Sequence, residues 1–321
     1  MGNEMPVKFY SAIQETSIDW LWYPYIPYGK LTLLQGDPGD GKSTFMINLA
    51  ACLTTGSSLP DGSLIDGIQT VIYQCAEDNS ADTIKPRLMA AGADCSKIAF
   101  IDDPDGELTL SDSRLEQAIR NLSARLLILD PLQSFIPQDV DMQSAAKMRA
   151  VMRKLAKLAE RYQCAIVMIG HMNKNEGGKK LYRGLGSIDI AAIARSVLLI
   201  TRNTTDPELR YMYPLKSSLA PEGDAIAFRL DRENGFQWIG KCKKYDSEDQ
   251  ERHPAGKLAV TKVVLESLLR DVDLPSAEIM KILLEKGISE RTVRSASKEL
   301  GIDAYRADGK WMWHLQKQTR G

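Results

Sequence analysis

Apolar positions along most of the chain alternate between two periods. Short runs that are apolar almost throughout occur at Lys30 to Gln35, Thr70 to Cys75, Ile98 to Ile101, Arg125 to Pro131, Ala165 to His171 and Ser196 to Thr201. Between them, apolar residues recur every third or fourth position, as on one face of a helix. Phe45, Met46, Leu49, Ala50 and Leu53 form one such series, and Gly56 closes it. Ile84, Leu88 and Ala91 form the next, with Pro86 early, where proline is tolerated, and Gly92 as its stop. Leu115, Ala118, Ile119 and Leu122 are expected to face inward on a third helix, with Ser113 and Glu116 as its capping box. A long fourth carries Ala145, Met148, Val151, Met152, Leu155, Leu158, Ala159 and Tyr162. Strands that are apolar on both faces, alternating with amphipathic helices, predict a parallel sheet covered on both sides.

Beyond residue 203 the pattern changes. Leu209 to Lys216, Ala225 to Asp231 and Phe236 to Ile239 are short strands joined by turns such as Arg232-Glu233-Asn234-Gly235. They predict an antiparallel extension of the sheet. Residues 241–256 hold four basic and four acidic side chains and almost no large apolar one, the composition of a solvated linker. Residues 257–321 predict three helices and a hairpin, the pattern of a winged helix-turn-helix. One helix carries Ala259, Val260, Val263, Val264 and Leu268, and a second spans Ser276 to Glu285. The third spans Glu290 to Leu300 with Ser289 as N-cap, and Asp308-Gly309 marks the hairpin turn. At the other end, residues 1–29 form an aromatic lead-in around Trp20-Leu21-Trp22-Tyr23-Pro24-Tyr25-Ile26-Pro27-Tyr28, where two prolines forbid a regular helix. Packing on the core, stacking on a base and facing a neighbouring subunit are its three possible uses. The large domain is thus expected over 30–240.

Composition narrows the function classes. A net charge of -1 over 321 residues is not that of a globally basic nucleic-acid binder, so any such contact must come from local patches. Five scattered cysteines without a C-x-x-C pair read as free thiols in a reducing compartment, and three histidines argue against a zinc site. No apolar run reaches the length of a membrane span, and a cytoplasmic protein is expected.

The chemistry concentrates at Gly36-Asp37-Pro38-Gly39-Asp40-Gly41-Lys42-Ser43-Thr44, a G-x-x-x-x-G-K-S phosphate-binding loop between a predicted strand and a predicted helix. Its glycines let backbone N–H groups curl around a polyphosphate at a helix N-terminus. Lys42 is expected on the β- and γ-phosphates of ATP, and Ser43 on Mg²⁺. Asp130 ends an apolar strand and is the second expected Mg²⁺ ligand. Glu77, just past another strand, is placed to orient and deprotonate a water. His171 follows a third strand end and is a candidate contact to the γ-phosphate. Strand carboxyl ends converge on one crevice in a doubly wound sheet, so these groups can meet one ligand. Two candidate DNA contacts remain. One is the basic loop with Lys174, Lys179, Lys180 and Arg183. The other is the third helix of the C-terminal module, with Arg291, Arg294 and Lys298 on one face.

Taken with Trp20 to Pro27, Ala76-Glu77-Asp78, Leu129-Asp130-Pro131, Gly170-His171-x-x-Lys174, Arg183-Gly184-x-Gly186-Ser187, Ala194-Arg195 and Leu215 to Pro221, the chain resembles the RecA/DnaB-type phosphate-loop ATPases. Among them it is most similar to the plasmid RepA-like hexameric helicases and their phage and mobile-element relatives. The resemblance spans roughly Trp20 to Trp238. It implies a RecA-like fold and Mg²⁺-dependent ATP hydrolysis with Glu77 as catalytic glutamate. It also implies a ring, of six subunits in these relatives, in which one subunit completes its neighbour's ATP site. Lys216 is the first candidate for that contact in trans and Arg195 the second; a surface lysine and a sheet-edge salt bridge are their plainer readings. The loop after His171 would face the channel of the ring, where single-stranded DNA would pass. Two other readings stay open: a recombination-type DNA-dependent ATPase or loader without unwinding, and an ATP-switched DNA-binding regulator.

Overall fold

Leu31, Leu33 and Leu34 leave no polar face, so the strand they form is buried on both sides and lies at the centre of the sheet. The computed structural model describes residues 7–140, 144–171, 188–203, 206–231, 233–242, 261, 265, 268–269, 273–285, 288, 290–307 and 310–315. The chain divides into two units, Met1–Lys244 and Tyr245–Gly321.

In the first unit, β1 (Trp20–Trp22) and β2 (Ile26–Pro27) pair as a small antiparallel ribbon. There follow β3 (Leu31–Gly36), α1 (Lys42–Thr55), β4 (Val71–Cys75), α2 (Lys85–Ala90), β5 (Ile98–Ala99), α3 (Ser113–Leu122), β6 (Leu126–Asp130), α4 (Ala145–Tyr162), β7 (Ala165–His171) and α5 (Ile188–Ile193). The series ends with β8 (Ser196–Arg202), β9 (Leu209–Ser217), β10 (Ala225–Asp231) and β11 (Gly235–Cys242). The last nine of these strands, β3 to β11, form one sheet in the order β11-β10-β9-β8-β3-β7-β6-β4-β5. Pairings from β8 through β5 are parallel, and those from β8 to β11 are antiparallel. Apolar clusters cover both faces: Phe45, Leu49 and Ile128 belong to one, Leu127, Met152 and Leu155 to the other. The lead-in belongs to the first. Trp22 and Tyr25 are buried, Trp22 stacks on Phe45 at 6.3 Å, and Phe45 meets Phe228 and Trp238 at 5.3 and 5.0 Å.

Four local expectations need correction. The third strand stops at Ala99, because the Gln74 side chain takes the place of a further strand bond. Its Oε1 accepts from Ile101 N at 2.9 Å, and its Nε2 donates to Ile101 O at 3.2 Å. The helix before Gly92 opens with a π-helical turn over Ser80–Ile84, capped by the Asn79 side chain. No capping box closes α3. Its N-cap is Asp112, which accepts from Arg114 N, while Glu116 is drawn away to Arg161 and Tyr162 and Leu122 is exposed. Finally, β11 runs to Cys242, two residues into the expected linker, because Lys241 and Cys242 pair with Ile226 and Ala225.

The second unit contains β12 (Leu274–Pro275), α6 (Ser276–Glu285), α7 (Glu290–Glu299), β13 (Ile302–Ala307) and β14 (Lys310–Leu315). The strands pair in the order β12-β14-β13, and Ala307 faces Lys310 across the hairpin. Ile279, Leu283, Val293 and Ala296 join Leu265 and Leu269 in its core. Of the first expected helix of this unit, Thr261, Leu265, Leu268 and Leu269 are described and helical; Ala259, Val260, Val263 and Val264 lie outside the described residues, as do Ser289 and the turn residues Asp308 and Gly309. Among the described residues of the whole chain, no helix is long and apolar enough to cross a membrane.

Candidate nucleotide site

The parallel strands deliver their last residues to one edge. Gly36 of β3 lies in register with His171 of β7, and Cys75 of β4 with Asp130 of β6. The Ala76 N–H then donates to Asp130 O at 3.0 Å, which holds the start of the Glu77 turn against the end of β6. Glu77 itself is exposed. The His171 backbone is therefore beside the phosphate loop; its side chain and residues 172–187, with Lys174, Lys179, Lys180 and Arg183, lie outside the described residues.

The loop from Gly36 to Thr44 turns on two left-handed glycines, Gly39 at φ 79° and Gly41 at φ 91°, which any side chain would strain. Gly36 is required for a second reason: a Cβ there would lie 2.5 Å from Ile200 O. Within the loop, the Asp37 N–H donates to Asp40 Oδ2 at 3.0 Å. Lys42, only 4% exposed, donates from Nζ to Gly36 O at 3.0 Å and Asp37 O at 2.9 Å. Burial draws its ammonium below the ordinary lysine value, while the carboxylates of Asp40, Asp130, Asp37 and Glu77 oppose that shift. Those four carboxylates act on one cation, so Lys42, Asp130 and Glu77 share a single electrostatic site. Pro38 is exposed on the loop, and Ser43 and Thr44 are half-buried in the first turn of α1. That helix start aims free N–H groups and a positive dipole end at the loop.

Asp130, buried in the sheet edge, accepts from the Tyr73 hydroxyl at 2.7 Å. Ser43 bonds the same hydroxyl. Burial first, and the Asp130 charge second, hold the Tyr73 hydroxyl well above its ordinary value, so it stays a proton donor. Ser43 and Asp130 are thus both gathered around one point and offer oxygen only. That donor set suits Mg²⁺, which takes one or two protein oxygens and completes its shell with phosphate and water.

Three site residues were not legible from the chain pattern. Tyr73 lies inside an apolar run and reads as core. Arg202 ends β8, and its guanidinium donates to Gly39 O and pairs with Asp40 at 3.2 Å. Arg210 on β9 is buried, donates to Glu208 O at 2.9 Å and Leu230 O at 3.1 Å, and leaves its Nε without a partner. Arg202, Arg210, Leu230 and Asn234 line an open cavity of about 780 Å³. It adjoins the loop, since a Cβ on Gly41 would lie 3.3 Å from Leu230 and 3.5 Å from Arg210.

Arg195 and Lys216 are elsewhere. The Arg195 N–H donates to Leu31 O at the amino end of β3, and Lys216 lies opposite Val197 at the amino end of β8. Five strand residues, about 17 Å, separate that edge from the phosphate loop. Lys216 Nζ there donates to Ala191 O at 2.9 Å, Ala192 O at 3.0 Å and Ala194 O at 2.8 Å, at the carboxyl end of α5. Burial, then the neighbouring Arg195 charge, draws its ammonium below the ordinary value. In the second unit, Arg294 and Lys298 are exposed on α7, and Arg294 pairs with Glu290 at 3.1 Å; the Arg291 side chain lies outside the description.

The chain is similar to DNA repair protein RadA of Streptococcus pyogenes serotype M3, with 30% identity over 152 residues, 46% of this chain and 28% of that protein. It is also 28% identical over 240 residues to DNA repair protein RadA of Halalkalibacterium halodurans, covering 73% of this chain and 46% of that one. It therefore spans less than half the length of these curated relatives. Among solved structures, one ATPase domain superposes with a TM-score of 0.50 at 13% identity, over 66% of this chain and 84% of that domain. That likeness is one of fold, and the fold is RecA-like: a large, mostly parallel sheet extended by antiparallel strands. The sequence profile of the AAA domain family, AAA_25, matches residues 4–177, more than half of the chain and the part that carries Lys42, Glu77, Asp130 and His171, and the chain belongs to that family.

Proposed function

We propose that this protein is a Mg²⁺-dependent ATP hydrolase that assembles head to tail into rings, hexamers on the RepA-like pattern, and couples hydrolysis to movement along DNA. Replication or mobilisation of a plasmid or prophage is the setting that pattern suggests. One observation carries the reading. Lys42, Asp130 and Glu77 share one crevice at the carboxyl edge of the sheet, whereas Arg195 and Lys216 stand at the amino edge, out of reach of their own loop. Cations so placed can serve the loop of a neighbouring copy.

In this reading Lys42 binds the β- and γ-phosphates, and the Gly36–Thr44 backbone cradles them. Ser43 and Asp130 hold Mg²⁺, which when bound neutralises charge on the phosphate oxygens. Glu77 orients the attacking water and takes its proton. The cavity beside Arg202, Arg210 and Leu230 is roomy enough for the base and ribose. His171, in register with the first residue of the loop, passes the state of the γ-phosphate to the basic segment after it. Lys174, Lys179, Lys180 and Arg183 contact single-stranded DNA there. The second unit, read as a winged helix-turn-helix with Arg291, Arg294 and Lys298 on α7, offers a second DNA contact.

ATP turnover with and without single-stranded DNA, beside mass measurement with and without ATP, tests this. DNA-stimulated turnover by an ATP-dependent ring supports it; an ATP-loaded monomer indifferent to DNA refutes it. The RadA likeness favours a second reading, a DNA-dependent ATPase of recombination type. Turnover with strand pairing and no duplex unwinding would select that one.

A further inference from the structure

A cleft of about 700 Å³ opens at the carboxyl edge of β4 and β5, on the far side of β6 from the phosphate loop. Ile84, Leu88, Ile98, Phe100, Leu108 and Phe135 line it. It exists because β5 ends after two residues and the Gln74 amide, not a strand, holds the chain at Ile101. Phe100 stays half exposed at its mouth.

The same unit also carries an apolar segment that covers nothing of its own. Phe9 is 79% and Tyr10 91% exposed, and Val7 and Ile13 are exposed with them. Between residues 7 and 13 the described backbone bonds are internal, Ala12 N to Phe9 O and Ile13 N to Tyr10 O, around one 3₁₀ turn. A run of large apolar side chains held out in water marks an interaction surface. The stem of this arm is fixed at the amino edge of the sheet. The Tyr28 N–H donates to Asp19 O, and the Tyr28 ring lies under Arg125, the residue before β6.

The arm is thus rooted at the amino edge, and the cleft opens at the carboxyl edge. We propose that the arm of one copy, with Phe9 and Tyr10 leading, docks in this cleft of the next copy. This rests on the head-to-tail assembly proposed above, since the edge bearing Arg195 and Lys216 then faces the edge bearing Lys42. Charge agrees with it. Lys8 precedes Phe9, and the cleft rim is acidic; Asp78 and Asp103 are engaged by Arg87 and Arg114, whereas Asp102 is exposed.

Cys75 and Cys95 line the cleft as free thiols and make the proposal testable in the full chain. Ser11→Cys, oxidised with and without ATP, should give disulfide-linked dimers and longer ladders that the unsubstituted chain does not form. Peptide mapping of mixed isotope-labelled and unlabelled chains should place the bond between two copies, at Cys95 or Cys75. A bond within one chain, a bond to Cys52, Cys164 or Cys242, or no bond overturns the proposal. Phe9→Ala with Tyr10→Ala should raise the half-assembly concentration by about tenfold or more, with the melting temperature unchanged because both rings are exposed. If that variant assembles like the parent, the arm reading fails while the ring stands. If the parent neither assembles nor responds to DNA, the ring reading fails, and the cross-link alone decides the arm.

Discussion

Lys216→Met removes the ammonium and keeps the aliphatic stem. Two consequences should separate in this one variant. The first is structural. Nζ serves three carbonyls at the end of α5 at 2.8–3.0 Å, all of which lose their donor. Hydrogen bonds to a charged group contribute about 1.5–3 kcal/mol each, but these three share one half-buried ammonium and are not additive. A loss of about 2–3 kcal/mol follows, which for a unit of this size lowers Tm by about 5–10 °C. The second is catalytic. If Lys216 completes a neighbour's ATP site, kcat at 25 °C should fall by about 10²-fold or more, as when one transition-state donor is deleted. Nucleotide affinity should hardly change, because the phosphate loop is intact. Calorimetry, nucleotide titration and steady-state turnover, all in the same buffer, measure the three quantities. Mixing with Glu77→Gln subunits adds a direct check, since mixed rings regain interfaces that pair an intact Glu77 with an intact Lys216. Turnover within twofold of the parent, with the lower Tm, would refute the trans role and leave Lys216 as the cap of α5. An unchanged Tm would refute the structural estimate.

Lys42→Ala should abolish tight ATP binding in a titration, because the buried cation that four carboxylates surround is gone. Glu77→Gln should keep ATP affinity and slow single-turnover hydrolysis by about 10²-fold or more, the usual cost of losing a general base. Asp40 gives a pH test. Burial holds its carboxyl above the ordinary value, so between the unfolded and the folded pKa the native state binds more protons. Its contribution to stability therefore falls as pH rises through that window. Chemical denaturation from pH 3.5 upward should show the parent losing ground to Asp40→Asn as pH rises; the opposite slope would sink the assignment.

The parallel strands and the phosphate loop were legible because burial on both faces demands uninterrupted apolar runs. Asp130 stood out as the one charge ending such a run. The antiparallel extension was legible from its turns. What was hidden depends on strand order, which no local pattern encodes. Only when β8 is seated beside β3 does Arg202 meet Gly39 and Asp40. Tyr73 was hidden because a hydroxyl aimed at Asp130 and a tyrosine packed in a core look alike in sequence. The capping box failed because Glu116 found Arg161 and Tyr162, some 45 residues on, stronger partners than a backbone N–H. Lys216 was singled out for its neighbours in sequence; its three carbonyl partners come from a turn of chain that only the fold brings near.

The aromatic contacts of the lead-in bear on where this ATPase unit begins. Trp22 stacks on Phe45, which stands three residues beyond Lys42 in the first turn of α1. A chain cut just before the phosphate-loop strand would strip Trp22 and Tyr25 from that face, at about 3–5 kcal/mol for the tryptophan alone. The wound would open directly behind the anion-binding end of the helix. Residues 20–28, though outside every nucleotide motif, are therefore part of the smallest fragment that can hold the loop in shape. A fragment started at residue 30 would report on an injured site rather than a minimal one.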